Sequence, residues 1–227
     1  MTGTAPTSRL ARLVAGLGSR PVRLAETDTR WRGGKDDHQY CELCAEPIEP
    51  GHQHLLDLSA RQLCCVCRAC AVLFDRSEAG GRHYRLVPQR RRRLTDLVLG
   101  DETWASLRIP VGLAFFFHDS AAGRVVGFYP SPAGAVESLV ELSAWSRIEQ
   151  DNPVLREMEP DVEALLVHRA RGAREHWLVP VDDCYALVGL VRTHWTGFTG
   201  GPELWAAVDR FFAELERSTT CDAGGER

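Results

Sequence analysis

The sequence predicts an α+β chain in which a small cysteine-rich module packs on a mixed, largely antiparallel sheet with three or four helices. Three observations predict it. Two Cys-x-x-Cys pairs, Cys41/Cys44 and Cys67/Cys70, stand 22 residues apart. Apolar runs of strand length occur in pairs joined by short polar turns, which reads as hairpins. Near the C-terminal end, Leu204, Trp205, Val208, Phe211, Phe212 and Leu215 follow a helical stripe.

The chain has 227 residues, 44% of them hydrophobic and 26% charged, which excludes wholesale disorder, a collagen-like fibre and a coiled coil. Its longest membrane-span candidate, Ile109–Phe117, is less than half the roughly 20 residues a spanning helix needs. Arginine supplies 26 of the 27 basic residues. Charge is uneven: residues 1–93 carry 16 basic against 10 acidic side chains, and residues 94–227 carry 11 against 21. Halves of opposite sign are expected to dock on each other. The acidic half would repel duplex nucleic acid, so contact with it would be confined to the first half.

Residues 1–35 read as an arm with a short amphipathic helix, from Leu10, Leu13, Val14 and Leu17, ending at Gly18 and Pro21. Arg12 interrupts that apolar stretch and no small-residue cleavage pattern follows, so a secretory signal is not expected and the cytoplasm is. There, cysteines serve as metal ligands or free thiols more readily than as disulfides.

Residues 36–88 hold six of the eight cysteines. Two Cys-x-x-Cys knuckles at this separation fit a zinc ribbon, because each tight turn points two sulfurs at one centre and two turns complete a tetrahedron. Cys41, Cys44, Cys67 and Cys70 are therefore the expected ligands of Zn²⁺, with iron as the alternative. Between the knuckles, Pro47, Pro50 and Gly51 permit a tight return, and His54–Leu58 and Arg61–Cys65 can pair as strands. So short a segment, with few large apolar side chains, would hardly fold without a metal. Cys65 is the first reserve ligand and Cys64 the second; otherwise both pack as small hydrophobes. His54 is a further candidate ligand, read instead as polar surface. Rubredoxin-like iron sites commonly carry Gly soon after each knuckle, and here Ala45 and Ala71 stand there, which favours zinc.

Residues 89–218 form the α+β domain. Arg90, Arg91, Arg92 and Arg93 are candidates for contacting a partner, either an acidic protein surface or nucleic acid, with Tyr84 able to stack on a base. Leu94–Leu99 and Asp101–Leu107 read as short helices, with Asp101 as N-cap and Pro110 as terminator. Val111–Phe117 and Arg124–Tyr129 read as a hairpin, and Pro130–Gly134 as a loop. Leu139–Gln150 is an amphipathic helix using Leu139, Leu142, Trp145 and Ile148. Val162–His168 and His176–Val181 are two more strands. Asp182 and Asp183 cap a helix through Trp195 with Leu187, Leu190 and Val191 inward. Gly197–Gly201 breaks it, Pro202 opens the last helix, and residues 219–227 are expected to be a disordered tail.

An enzyme would need a nucleophile with a base. Cys184 has His168, His176 and His194 as conceivable partners, but its place in an apolar helical run marks a buried inert thiol. No Gly-rich phosphate loop, His-Glu-x-x-His or Gly-x-Ser-x-Gly is present. A non-catalytic protein is expected.

Several stretches resemble an uncharacterised actinobacterial family encoded beside high-affinity uptake NiFe-hydrogenase genes. They are His54-Leu-Leu-Asp-Leu, Arg124-Val-Val-Gly-Phe-Tyr-Pro-Ser-Pro-Ala-Gly, Asp161-Val-Glu-Ala-Leu-Leu-Val, Glu175-His-Trp-Leu-Val-Pro and Asp182-Asp-Cys-Tyr-Ala-Leu-Val-Gly-Leu-Val-Arg. The resemblance covers about residues 36–217. It implies a contextual role, assembly or maturation of the hydrogenase, with hydrogenase subunits or maturation factors as protein partners. It carries over Cys41, Cys44, Cys67, Cys70 and Cys65, and assigns no catalytic residue.

Overall fold

Alternating side chains on a continuous apolar strand can be buried only if both faces of its sheet are covered, and that requirement organises this protein. The computed structural model describes residues 39–75, 83–138 and 142–222. The expected arm helix at Leu10–Leu17, Leu139 and the last five residues of the expected tail lie outside them.

Six strands form the main sheet: β6 (Arg92–Arg93), β7 (Leu113–Asp119), β8 (Arg124–Ser131), β9 (Gly134–Ser138), β10 (Glu163–His168) and β11 (Glu175–Pro180). Their order is β6-β11-β10-β7-β8-β9, and every pair is antiparallel. Phe115 and Phe117 face one side with Phe128, Trp177 and Val179. Phe116 faces the other with Val125, Leu165 and Leu178. On that second side lie the helices α2 (Asp101–Ser106) and α3 (Leu142–Asp151) and a 3-10 turn, Pro153–Glu157, contributing Trp145, Ile148 and Leu155. On the first side lie α4 (Val181–His194) and α5 (Gly201–Asp222). Five α-helices among the described residues, with largely antiparallel sheets, make the expected α+β class.

The cysteine module precedes this sheet. It contains the ribbon β1 (Gln39–Tyr40) and β2 (Pro47–Ile48), the hairpin β3 (Gln53–Asp57) and β4 (Gln62–Val66), the helix α1 (Arg68–Phe74) and β5 (Tyr84–Leu86). β3 pairs with both β4 and β5. Leu56, Leu63 and Val87 leave the module to join the core under α4 and α5, while Leu55, Val66 and Ala71 pack with Cys41 and Cys70 inside it. One hairpin thus serves two cores, and the module is fixed against the sheet.

Local expectations failed where tertiary partners satisfied the backbone. Leu94–Leu99 is not a helix: Asn152 receives the Val98 N–H at 2.6 Å and donates to its carbonyl at 2.9 Å, and the Leu94 N–H reaches the His176 carbonyl. Gly100, not Asp101, caps α2, because the Asp101 carboxylate is taken by Arg169 and Arg174. Pro130 and Ser131 continue β8, and the expected loop shrinks to a turn at Pro132–Ala133 before β9. The strand after that turn is short and of mixed polarity, so no pattern announced it. Helix α5 also runs to Asp222, past Ser218.

Candidate metal centre

The first pair of cysteines lies on a turn closed by β1 and β2. The Cys41 N–H donates to the Glu46 carbonyl at 2.7 Å, and the Ala45 N–H to the Cys41 carbonyl at 2.8 Å. Ala45 takes φ +60°. This is the left-handed conformation for which rubredoxin-like knuckles use glycine, and here an alanine bears it at a cost of about 1–2 kcal/mol.

The second pair is held by a helix rather than by a second strand knuckle. Cys67 is the N-cap of α1, its sulfur 3.4 Å from the Cys70 N–H, and Cys70 sits in the first turn. The Glu42 N–H donates to the Cys65 carbonyl at 2.9 Å, which ties the first turn to β4 just ahead of Cys67. All four sulfurs then lie within 4.8 Å of one another, and Cys44 Sγ is 3.6 Å from Cys67 Sγ. Cys41 and Cys70 are buried and Cys44 is exposed, so the cluster opens to solvent on one side.

These thiols do not titrate alike. Burial pushes Cys41 up, but the N–H groups of Cys67, Cys44 and Leu43 outweigh burial and bring it down to about 6. Burial, then the neighbouring sulfurs, pushes Cys70 well up. A cluster in which Cys41 ionises early while Cys70 resists is one that a soft cation can complete by displacing protons. The residues present therefore fit a closed four-thiolate site of the kind zinc or iron takes.

The reserve ligands go elsewhere. Cys64 pairs with Leu55 across the hairpin and is half-buried, and burial followed by Glu42 and Asp57 pushes its thiol up to about 11. Cys65 lies opposite His54 and groups with His52 and His54. Burial raises the Cys65 thiol, yet the two imidazoles beside it bring it below its usual value. His54 is not polar surface; it is buried, with Nδ1 2.7 Å from Asp182 Oδ2.

Neither Asp182 nor Asp183 stands at the N-cap position of α4, and of the two only Asp182 is seen accepting a first-turn N–H, that of Asp183 at 2.9 Å. Pro180 precedes α4 without a side-chain cap, and both carboxylates are buried, Asp182 against His54 and Asp183 against Arg91. The pairing of His52 with His54 was readable, since residues two apart on a strand share a face. Asp182 was not, because it comes from 128 residues away.

The arginine run divides by partner. Arg90 pairs with Glu163 at 2.5 Å and Arg91 with Asp183 at 2.6 Å, and both acids are fully buried. Arg92 and Arg93 pair with Glu157 and Glu216, which are half-exposed. The basic first half thus docks on the acidic second half through these pairs and through Arg61–Asp119. Cys184 is fully buried in the core under α4, where burial, then Asp183 and Asp182, pushes its thiol far up, as suits an inert side chain. No helix among the described residues is long and apolar enough to cross a membrane.

No curated protein and no solved structure matches the chain. A family model does, over residues 40–219, a span that takes in both the cysteine cluster and the whole six-stranded sheet. The chain belongs to that family, DUF5947, a family of unknown function.

Proposed function

We propose that this chain is a non-catalytic accessory protein. One zinc ion, held by Cys41, Cys44, Cys67 and Cys70, stiffens a docking surface for a protein partner, and that partner is a subunit or maturation factor of a NiFe hydrogenase. The convergence of four sulfurs from two distant segments carries the proposal. Among the described residues, the cluster at the module's own core has five buried members. Structural zinc, worth an apparent ~10–16 kcal/mol in small domains, offsets that deficit.

Tyr40, Val72 and Leu73 support docking. They flank the cysteines in sequence, and each is more than half exposed. Large apolar side chains left open beside a rigid centre suit the buried middle of a protein interface. Arg92 and Arg93 offer a further polar contact elsewhere on the chain, because their exposed acidic partners can be exchanged for a partner's carboxylates. Arg90 and Arg91 neutralise buried acids and stay in place. Phosphate binding is the weaker reading for the same reason: the run's charge is already matched within the chain. The hydrogenase assignment rests on the resemblance of segments such as Glu175-His-Trp-Leu-Val-Pro.

The test is purification of the tagged full chain from an actinobacterial host carrying the hydrogenase genes. A colourless protein is expected, with zinc that Cys67→Ser lowers by one ion per chain. Hydrogenase components should co-purify with the wild type and be lost from a Tyr40→Ser/Leu73→Ser variant. Coloured, iron-loaded protein would instead mark a rubredoxin-like electron carrier. Nucleic acid retained through Arg92 and Arg93 would mark a nucleic-acid binder. Zinc-loaded protein without hydrogenase components would overturn the partner.

A further inference from the structure

Two imidazoles and a thiol meet in a second place, separate in its ligands from the four cysteines. His52 lies just before β3 and His54 on it, so alternation puts both on one face. Cys65 stands directly opposite His54 on β4. Their ligand atoms lie within 4.8 Å of one another. The two rings meet edge-on, with centroids 4.9 Å apart.

The hydrogen bonds behind the rings point the other nitrogens inward. His52 Nδ1 is 3.0 Å from the Glu49 carbonyl, which can only accept, so Nδ1 carries the proton and Nε2 a lone pair. That Nε2 is buried and has no hydrogen-bond partner among the described residues. His54 Nδ1 faces the Asp182 carboxylate at 2.7 Å, the carboxylate–imidazole arrangement that orients histidine ligands and raises their basicity. Asp182 is itself held, its other oxygen accepting the Asp183 N–H at 2.9 Å.

We propose that His52, His54 and Cys65 form a second metal site, which takes a divalent transition ion of the zinc type through two Nε2 atoms and one thiolate. Three protein ligands leave the fourth position of a tetrahedral ion for a water molecule. Charge supports it: one thiolate and the Asp182 carboxylate balance a divalent cation in a buried setting where net charge would be costly.

Cys65, His54 and Asp182 also have the composition of a thiol–imidazole–carboxylate relay. Two observations favour the metal. The Cys65 side is nearly closed, at 3% exposure, where a nucleophile needs access. A relay also uses one imidazole, and leaves the inward, unpartnered Nε2 of His52 without a role.

The experiment is equilibrium dialysis of the full chain against Zn²⁺ and, separately, Co²⁺, with bound metal counted and the cobalt spectrum recorded. Wild type should hold two ions per chain. His52→Ala should lose one, together with the spectral component of a single-thiolate site, and His52→Cys, which offers a sulfur from the same position, should keep it. Cys67→Ser should lose the other ion and the four-thiolate component. If Cys67→Ser has no effect while His52→Ala does, the zinc-module reading fails and this site stands. An ion count untouched by His52→Ala overturns the site. So does rapid alkylation of Cys65 that added metal does not slow.

Discussion

His54 and Asp182 are separated by 128 residues and joined by a 2.7 Å contact between Nδ1 and Oδ2, with both side chains buried. The contact fastens the cysteine hairpin to the first turn of α4, at the seam where Leu56 and Leu63 enter the main core.

That seam can be tested as a coupling. Asp182→Ala would strand a buried imidazole N–H, at a cost of about 1–3 kcal/mol. A double-mutant cycle of His54→Ala and Asp182→Ala should show a coupling on the order of 0.5–3 kcal/mol. Urea unfolding of the zinc-loaded full chain, at one fixed excess of zinc for all four members of the cycle, measures it. Strictly additive single effects would show that this contact does not help hold the module on α4.

The arginine run makes a sharper contrast within one short segment. Asp183 is fully buried and its Arg91 partner is 16% exposed. Arg91→Ala takes the guanidinium away from that buried carboxylate, a loss of roughly 3–5 kcal/mol. Arg92 and Glu157 are both about half exposed, and Arg92→Ala should cost about 0–1 kcal/mol. Equal destabilisation of the two variants by thermal or denaturant unfolding would refute the division between structural and exposed arginines.

What the sequence disclosed follows the same physical line. A continuous apolar run exposed Phe115–Phe117 as core, and helical periodicity exposed the stripe of α5 from Leu204 to Leu215, since burial marks neighbouring residues. Spacing exposed the four cysteines, because knuckle geometry is local. The carboxylates of Asp182 and Asp183 looked like helix caps because a cap is the nearest local use for them. Their actual partners, His54 and Arg91, come from the other end of the chain and leave no trace in the adjacent sequence. Leu94–Leu99 misled for a related reason: its backbone groups are satisfied by Asn152 and His176, which no propensity scale weighs.

Acid should weaken the fold through the histidines of the central sheet. Burial, and then the charges of Arg169 and Arg174, holds the His176 imidazole at about 4 against an ordinary 6.5. The folded chain therefore refuses a proton that the unfolded chain accepts between those values. Stability from this group is complete above pH 6.5, falls as pH drops toward 4 and levels off below it. The total is on the order of 3 kcal/mol. Burial shifts His168 in the same direction. Stability measured against pH for wild type and His176→Gln, both metal-loaded, should differ in slope across this window. Parallel profiles would remove His176 as a source of acid sensitivity.

Two glycines, one beside the six-stranded sheet and one in α4, should respond to the same substitution with opposite signs. At Gly112, just before β7, a Cβ would fall 2.5 Å from the Ala170 backbone nitrogen and 2.6 Å from its Cα. Backbone cannot step aside as a flexible side chain can, and the Arg169 N–H bond to the Gly112 carbonyl at 2.6 Å holds the two segments together. Gly112→Ala should therefore part β7 from the turn after β10, with overpacking costs of about 1–3 kcal/mol. Gly189 lies inside α4, and a Cβ there meets nothing within 4 Å. Gly189→Ala removes backbone freedom from the unfolded chain without a clash, and should stabilise by about 0.4–1 kcal/mol. Chemical denaturation of the two single variants decides the matter. A neutral Gly112→Ala would mean that the close approach of residues 112 and 170 is not needed to align β7 with β10.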